Sequence, residues 1–163
     1  MQMHDRLVVS NSTPIIVLSN INKLDILQKL YGVVHIPYAV MQEVSVKANH
    51  FMQDNPWLRM DYVKDKLAQD AFSVSLHSGE VEAILLTRQL EADLLILDDG
   101  LARKYAKRLN ILITGTIGVI LQAKNRGIIS SVKPVLSNLI DSGFYLSEQV
   151  LGEILTIANE SIQ

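Results

Sequence analysis

Four side chains with oxygen donors, Asn11, Glu43, Glu80 and Asp98, come from well-separated parts of this 163-residue chain. Asn11 ends the apolar run that opens "VVSNSTPII", and Asp98 ends "LLIL". Thr114 and Thr116 follow a further apolar run in the same way. Glu43 lies in "IPYAVMQEV" and Glu80 just after Ser78, both in helical patterns. With no cysteine in the chain and no histidines paired at ligand spacing, such a set suits a hard divalent cation, Mg²⁺ or Mn²⁺. An ion of this kind makes water nucleophilic at neutral pH and neutralises phosphoryl oxygens, which is the chemistry of phosphodiester hydrolysis. Asn11 can take part through its amide oxygen as a neutral ligand, while its NH₂ donates a hydrogen bond. Three carboxylates then hold one ion more readily than two.

Each of these residues also has a structural role open to it. Asp98 and Asp99 can cap the helix that starts near Leu101. Glu80 complements the helix dipole in a first turn. Glu82 stands about 200° around the helix from Glu80, so the two cannot face one ion and Glu80 is the ligand candidate. Glu43 reads equally as a solvated helix residue, and Asn11 as a turn residue bonded to its local backbone. Arg103, Lys104, Lys107 and Arg108 cluster within six positions. Positions 104, 107 and 108 share a helix face, either a solvated surface or a rim that contacts phosphate.

The elements that must position these groups alternate from end to end, short β-branched runs with longer helical patterns. Strands are expected at 7–10, 33–36, 94–97 and 111–113. A helix starts at Pro14 with Thr13 as its cap, another is closed by Gly32, and a third opens at Pro37. Residues 46–75 are weakly patterned and suggest one short strand and one helix. Helices follow at 79–90, capped by Ser78, at 101–109, and from Thr116 to a stop at Gly127. Ser131 caps the next, with Pro134 in its first turn, and Ser147 opens the last. "LLIL" is apolar on both faces, as central parallel strands are. The expected fold is a three-layer α/β/α sandwich around a mainly parallel sheet, in one domain over 1–163 with 130–163 as a helical C-terminal extension. Ligands of such sheets bind beyond the carboxyl ends of the strands, where strand order reverses.

Hydrophobic residues make up 48% and the formal charge is −2, so a bulk positive field for nucleic acid or anionic membranes is excluded. The absence of cysteine removes disulfide and thiolate frameworks. The first six residues lead into an apolar run too short for a signal or membrane segment, and a soluble, cytoplasmic protein is expected. "GTIG" is not a dinucleotide fingerprint, and neither a P-loop nor a nucleophile elbow is present. The last helix, with Val150, Leu151, Ile154, Leu155 and Ile157, carries more apolar surface than one face needs.

The stretches "VVSNSTPII", "IPYAVMQEV", "SGEVEAILLTRQLEADLLILDDGLARKYAKRLNI" and "ITGTIGVILQAKNRGII" resemble the PIN-domain superfamily, and most of all its VapC-like subgroup with a helical C-terminal extension. That resemblance implies a metal-dependent ribonuclease, in many relatives the toxin of a toxin–antitoxin pair. It places Asn11 where the first aspartate of the family site stands, with Glu43, Glu80 and Asp98 as the second, third and fourth acids and Asp99 as a supplement. Ser12 and Thr13 match the hydroxyl pair after the first acid, and Thr116 the small polar position after the last strong strand. RNA, an antitoxin protein and a homodimer are the implied partners. A PIN-fold protein with catalysis impaired by Asn11, serving as an RNA- or protein-binding module, is the alternative.

Overall fold

The computed structural model describes residues 6–46, 48–72 and 76–161. Residues 1–5, position 47 and positions 73–75 of the weakly patterned stretch, and the last two residues of the 130–163 extension lie outside the described residues. In chain order the elements are β1 (Val8–Ser10), α1 (Ser12–Asn20), α2 (Asp25–Tyr31), β2 (Val34–Pro37), α3 (Tyr38–Ser45), α4 (Phe51–Asp54), β3 (Leu58–Asp61) and α5 (Lys66–Phe72). They continue as α6 (Ser78–Gln89), β4 (Leu94–Ile96), α7 (Gly100–Arg108), β5 (Ile113–Thr114), α8 (Thr116–Asn125), α9 (Lys133–Asp141) and α10 (Glu148–Ile157).

The strands form one parallel sheet in the order β3-β2-β1-β4-β5. The chain runs outward from β1 through β2 to β3, then returns to pair β4 with β1, so the order reverses between β1 and β4. Their register is Val8↔Leu94, Val9↔Leu95 and Ser10↔Ile96. Asn11 N–H continues it by donating to Ile96 O at 2.9 Å. Asn11 and Asp98 therefore leave neighbouring strands at the switch point, the crevice where such sheets bind ligands.

Side chains alternate across the sheet with period two, and both faces are covered. Val8, Val34, Ile36, Leu94 and Ile96 join a core with Leu18, Leu27, Ile120, Leu136 and Leu155, from α1, α2, α8, α9 and α10. Val9, Leu95 and Leu97 face the other way, against Ile84, Leu86, Ala102 and Ala106 of α6 and α7. This is the three-layer α/β/α sandwich. Among the described residues no helix is long and apolar enough to cross a membrane.

Several boundaries differ from the sequence reading. α1 begins at Ser12, with Asn11 rather than Thr13 at the cap position. His77, not Ser78, precedes α6, and Val132, not Ser131, precedes α9. The last strand sits at Ile113–Thr114 instead of 111–113 because its pairing with Leu95 and Ile96 decides where it runs. The described residues of the stretch 46–75 supply the edge strand β3 and two helices, one more helix than its pattern suggested. Gly32, with φ +74, closes α2 as expected, its N–H donating to Gln28 O at 2.8 Å.

Candidate functional site

Asn11 holds the N-cap position of α1 with extended backbone (φ −76, ψ 172), yet its side chain does not cap the helix. It is 4% exposed, and its Oδ1 is buried without a hydrogen-bond partner among the described residues. The turn role, in which the amide bonds its local backbone, is thereby set aside. Next to it Ser12 Oγ donates to Glu43 Oε2 at 2.5 Å, joining α1 to α3. The start of α6 closes the third side. A Cβ on Gly79 would overlap Glu43 Oε1 and stand 3.4 Å from Asn11 Oδ1, so bare backbone at position 79 lets amide and carboxylate share one recess. Asn11, Ser12, Thr13, Glu43, His77, Ser78 and Glu80 line a cleft of about 290 Å³ there.

Glu80 occupies the first turn of α6, and its Oε2 accepts from His77 N–H at 3.1 Å, half of a capping box. Burial raises its pKa above the ordinary glutamate value. The hydrogen bond and charge of His77 oppose that rise, whereas the negative charges of Asp99 and Glu43 add to it. Glu80 thus stands in the field of two further carboxylates. Glu82, the acid passed over on α6, is 7% exposed. Its Oε1 accepts from Ala39 N–H at 3.2 Å and its Oε2 from Gln69 Nε2 at 3.1 Å. It anchors the first turn of α3, the helix that carries Glu43. The 200° offset from Glu80 that ruled it out as a ligand is the signal that it points inward.

The end of β4 forms a second group. Asp98 Oδ1 accepts from Thr116 N–H at 2.8 Å and Oδ2 from Thr116 Oγ1 at 2.5 Å, so Asp98 sits on the N-terminus of α8 and not on that of α7. Asp99 caps α7, accepting from Ala102 N–H at 2.8 Å. Arg103 donates from Nη1 to Leu97 O at 3.0 Å. A Cβ on Gly115 would stand 2.6 Å from Asp98 Oδ1 and 3.0 Å from Arg103 Nη1, so Arg103 is drawn in beside Asp98. Lys104 and Lys107 stay exposed on α7. The Arg108 guanidinium lies over the Tyr105 ring, 5.9 Å from its centroid.

A family model described as a PIN domain matches residues 7–160. The chain belongs to the PIN-domain family. No curated protein and no solved structure matches it significantly. The PIN-domain match spans β1 through α10, including the weakly patterned stretch 46–75.

In this PIN domain Asn11, Ser12, Thr13, Glu43 and Glu80 come together. Asp98 and Thr116 stand one strand over, and the charge of the adjacent Asp99 reaches Glu80. Among the described residues no three histidine or acidic side chains gather as a ready ligand set. What fits a hard cation is narrower: an orphaned amide oxygen beside a carboxylate, in a recess bounded by a second carboxylate. An acceptor that no N–H or O–H reaches is one a cation can satisfy. A divalent ion would also offset the like-charge repulsion that Glu80 registers.

Proposed function

We propose that this PIN domain is a Mg²⁺- or Mn²⁺-dependent endoribonuclease, the toxin of a VapC-like toxin–antitoxin pair. One observation carries the reading: Asn11 Oδ1, buried and without a donor among the described residues, lies beside Glu43 at the point where strand order reverses. Asn11, Glu43 and Glu80 are the residues that would hold the ion, with Asp98 and Asp99 adding negative charge from the end of the neighbouring strand. A divalent ion supplies a nucleophilic water at neutral pH and positive charge for the phosphoryl oxygens.

The chain's own residues prepare the rest. Ser12 fixes the Glu43 carboxylate by its hydrogen bond, which leaves Oε1 directed at the recess beside Gly79. Glu80 bounds the recess from the first turn of α6, its Oε2 held by His77 N–H at 3.1 Å. Thr116 orients Asp98 through both carboxylate oxygens, each of which retains a free lone pair. Arg103 places positive charge at the end of β4, and Lys104 and Lys107 offer exposed ammonium groups to the phosphates of an approaching strand. The protein partner in this reading is an antitoxin, and the working form is a cytoplasmic homodimer.

A second reading rests on the same geometry. The neutral amide at position 11 and the commitment of Asp98 to Thr116 also suit a PIN-fold module that binds RNA or protein without cutting. Titration with Mn²⁺ followed by an RNA cleavage assay separates the two, with Asp98→Asn as control. Cleavage that Asp98→Asn lowers at least tenfold supports the nuclease. RNA binding without cleavage supports the module.

A further inference from the structure

Tyr38 and Tyr62 stack in the open, with ring centroids 5.4 Å apart and planes inclined at 26°. They are 37% and 62% exposed. Each directly follows the last residue of its strand, and those residues, Pro37 and Asp61, are register partners in β2 and β3. The pair therefore stands at the same carboxyl end of the sheet as Asn11. The ends of β1 and β3 are two strand spacings apart, about 10 Å, which a short flank of single strand can span.

The pair is held in shape before any ligand arrives. Gln42 Nε2 donates to the Tyr38 hydroxyl at 3.1 Å. Gln89, at the end of α6, donates to Tyr62 O at 3.0 Å and accepts from Lys64 N–H at 2.9 Å. Beyond Tyr62, Lys64 and Arg88 line a shared groove with Val63 and Leu85. Among the described residues neither cation pairs with a carboxylate. Asp61 Oδ2 lies 2.7 Å from His35 Nδ1, and Asp65, which lines the same groove, turns its Oδ1 to Ala68 N–H at 3.0 Å at the start of α5. Exposed ring faces beside unpaired cations are what an unpaired nucleotide needs, since a base stacks on an aromatic face whatever its identity and the phosphate next to it seeks positive charge.

The geometry points to a base-stacking subsite on Tyr38 and Tyr62, with Lys64 and Arg88 contacting the adjoining phosphates, for the unpaired flank of a nucleic-acid strand whose scissile bond lies at the Asn11 cleft. The identity of that strand as RNA rests on the function proposed above. The test is fluorescence anisotropy of the full chain in EDTA, which stops metal-dependent hydrolysis, using a labelled unstructured RNA oligonucleotide and a duplex of the same sequence. Tyr62→Ala is expected to weaken single-strand binding roughly 5- to 150-fold, with Tyr62→Phe close to wild type and little change for the duplex. Lys64→Ala combined with Arg88→Ala should lessen the salt dependence of binding. Far-ultraviolet circular dichroism confirms that each variant is folded, and Tyr62→Leu, which keeps apolar bulk but loses the ring, should bind as weakly as the alanine variant. Wild-type protein that ignores the single strand, Tyr62→Ala that binds it unchanged, or Tyr62→Phe that loses as much as Tyr62→Ala each overturns the subsite. A parallel Mn²⁺ cleavage assay on the wild type keeps the two readings apart. Cleavage with Tyr62-independent binding removes the subsite alone, and Tyr62-dependent binding without cleavage removes the nuclease alone.

Discussion

Asn11 Oδ1 is buried and has no hydrogen-bond partner among the described residues, a state that costs a polar atom about 1–3 kcal/mol. Asn11→Asp would place a second carboxylate against Glu43, so the variant is expected to melt at a lower temperature in EDTA than the wild type, through like-charge repulsion and desolvation. Mn²⁺ should then raise its Tm by more than it raises that of the wild type. Equal Mn²⁺ shifts would show that position 11 does not face the ion. Glu80 makes a complementary case. Its pKa is raised in the fold, so its charge opposes folding at neutral pH and that opposition is relieved as pH falls through the raised value. Glu80→Gln keeps an acceptor for His77 N–H without the charge. It is expected to stabilise the protein at pH 7 by at most about 0.5 kcal/mol after allowance for solvent screening, with the gain shrinking toward pH 4. A gain of the same size at both pH values would remove the electrostatic cause. Asn11 was legible as a candidate because it sits where an apolar run ends, and Glu80 because it opens a helical pattern just after Ser78. The lone acceptor on Asn11 was not, because hydrogen-bond satisfaction depends on neighbours far away in sequence.

Helices in this molecule are positioned by carboxylates from elsewhere in the chain. Glu82 of α6 holds the first turn of α3, and through α3 it holds Glu43. Glu82→Ala leaves that buried N–H unmet and is expected to cost about 1–3 kcal/mol in urea unfolding. It should also reduce Mn²⁺ binding, although Glu82 faces away from the cleft. Unchanged stability would mean that the start of α3 is fixed by packing alone. Asp98 plays the same part for α8. The βα rhythm and the Gly32 stop were readable from local pattern. The caps of α6 and α9 fell one residue away from the serines that attract attention, and Ser131 instead donates to Glu160 Oε1 at 2.5 Å. A cap is chosen by which donor the backbone presents once the helix is packed, and sequence preference biases that choice without deciding it.

At the scale of the whole molecule, Glu160 closes the chain onto its core. Its carboxylate accepts from Ser131 Oγ, from Val132 N–H and Lys133 N–H at the start of α9, and from Lys124 Nζ of α8. Lys124 also donates to Ala158 O. Burial would raise the pKa of Glu160, and these hydrogen bonds outweigh it, lowering the value to about 2. The stabilisation is therefore complete above the ordinary glutamate value of 4.5 and is lost as pH falls from there toward 2. Glu160→Gln is expected to cost about 1–3 kcal/mol at pH 7 and to flatten the acid limb of a Tm-versus-pH curve within that window. An acid limb identical to the wild type would show that other carboxylates govern it. A glutamate three residues from the end of the chain carries no local sign of this role, because its four donors come from two other helices and the turn between them.

The chain by itself determined the α/β/α layering, the parallel sheet, and which polar residues end its strands, because burial on both faces and helical periodicity are written in neighbouring residues. The resemblance to PIN domains was likewise carried by continuous stretches of sequence. Tertiary structure alone decided that Asn11 and Glu43 share a recess while Asp98 turns to Thr116, that Glu82 and Glu160 serve distant helix ends, and that Tyr38 meets Tyr62. Each of those is a pairing across long sequence separation, set by sheet register and by backbone donors exposed at helix termini, and neither is encoded locally.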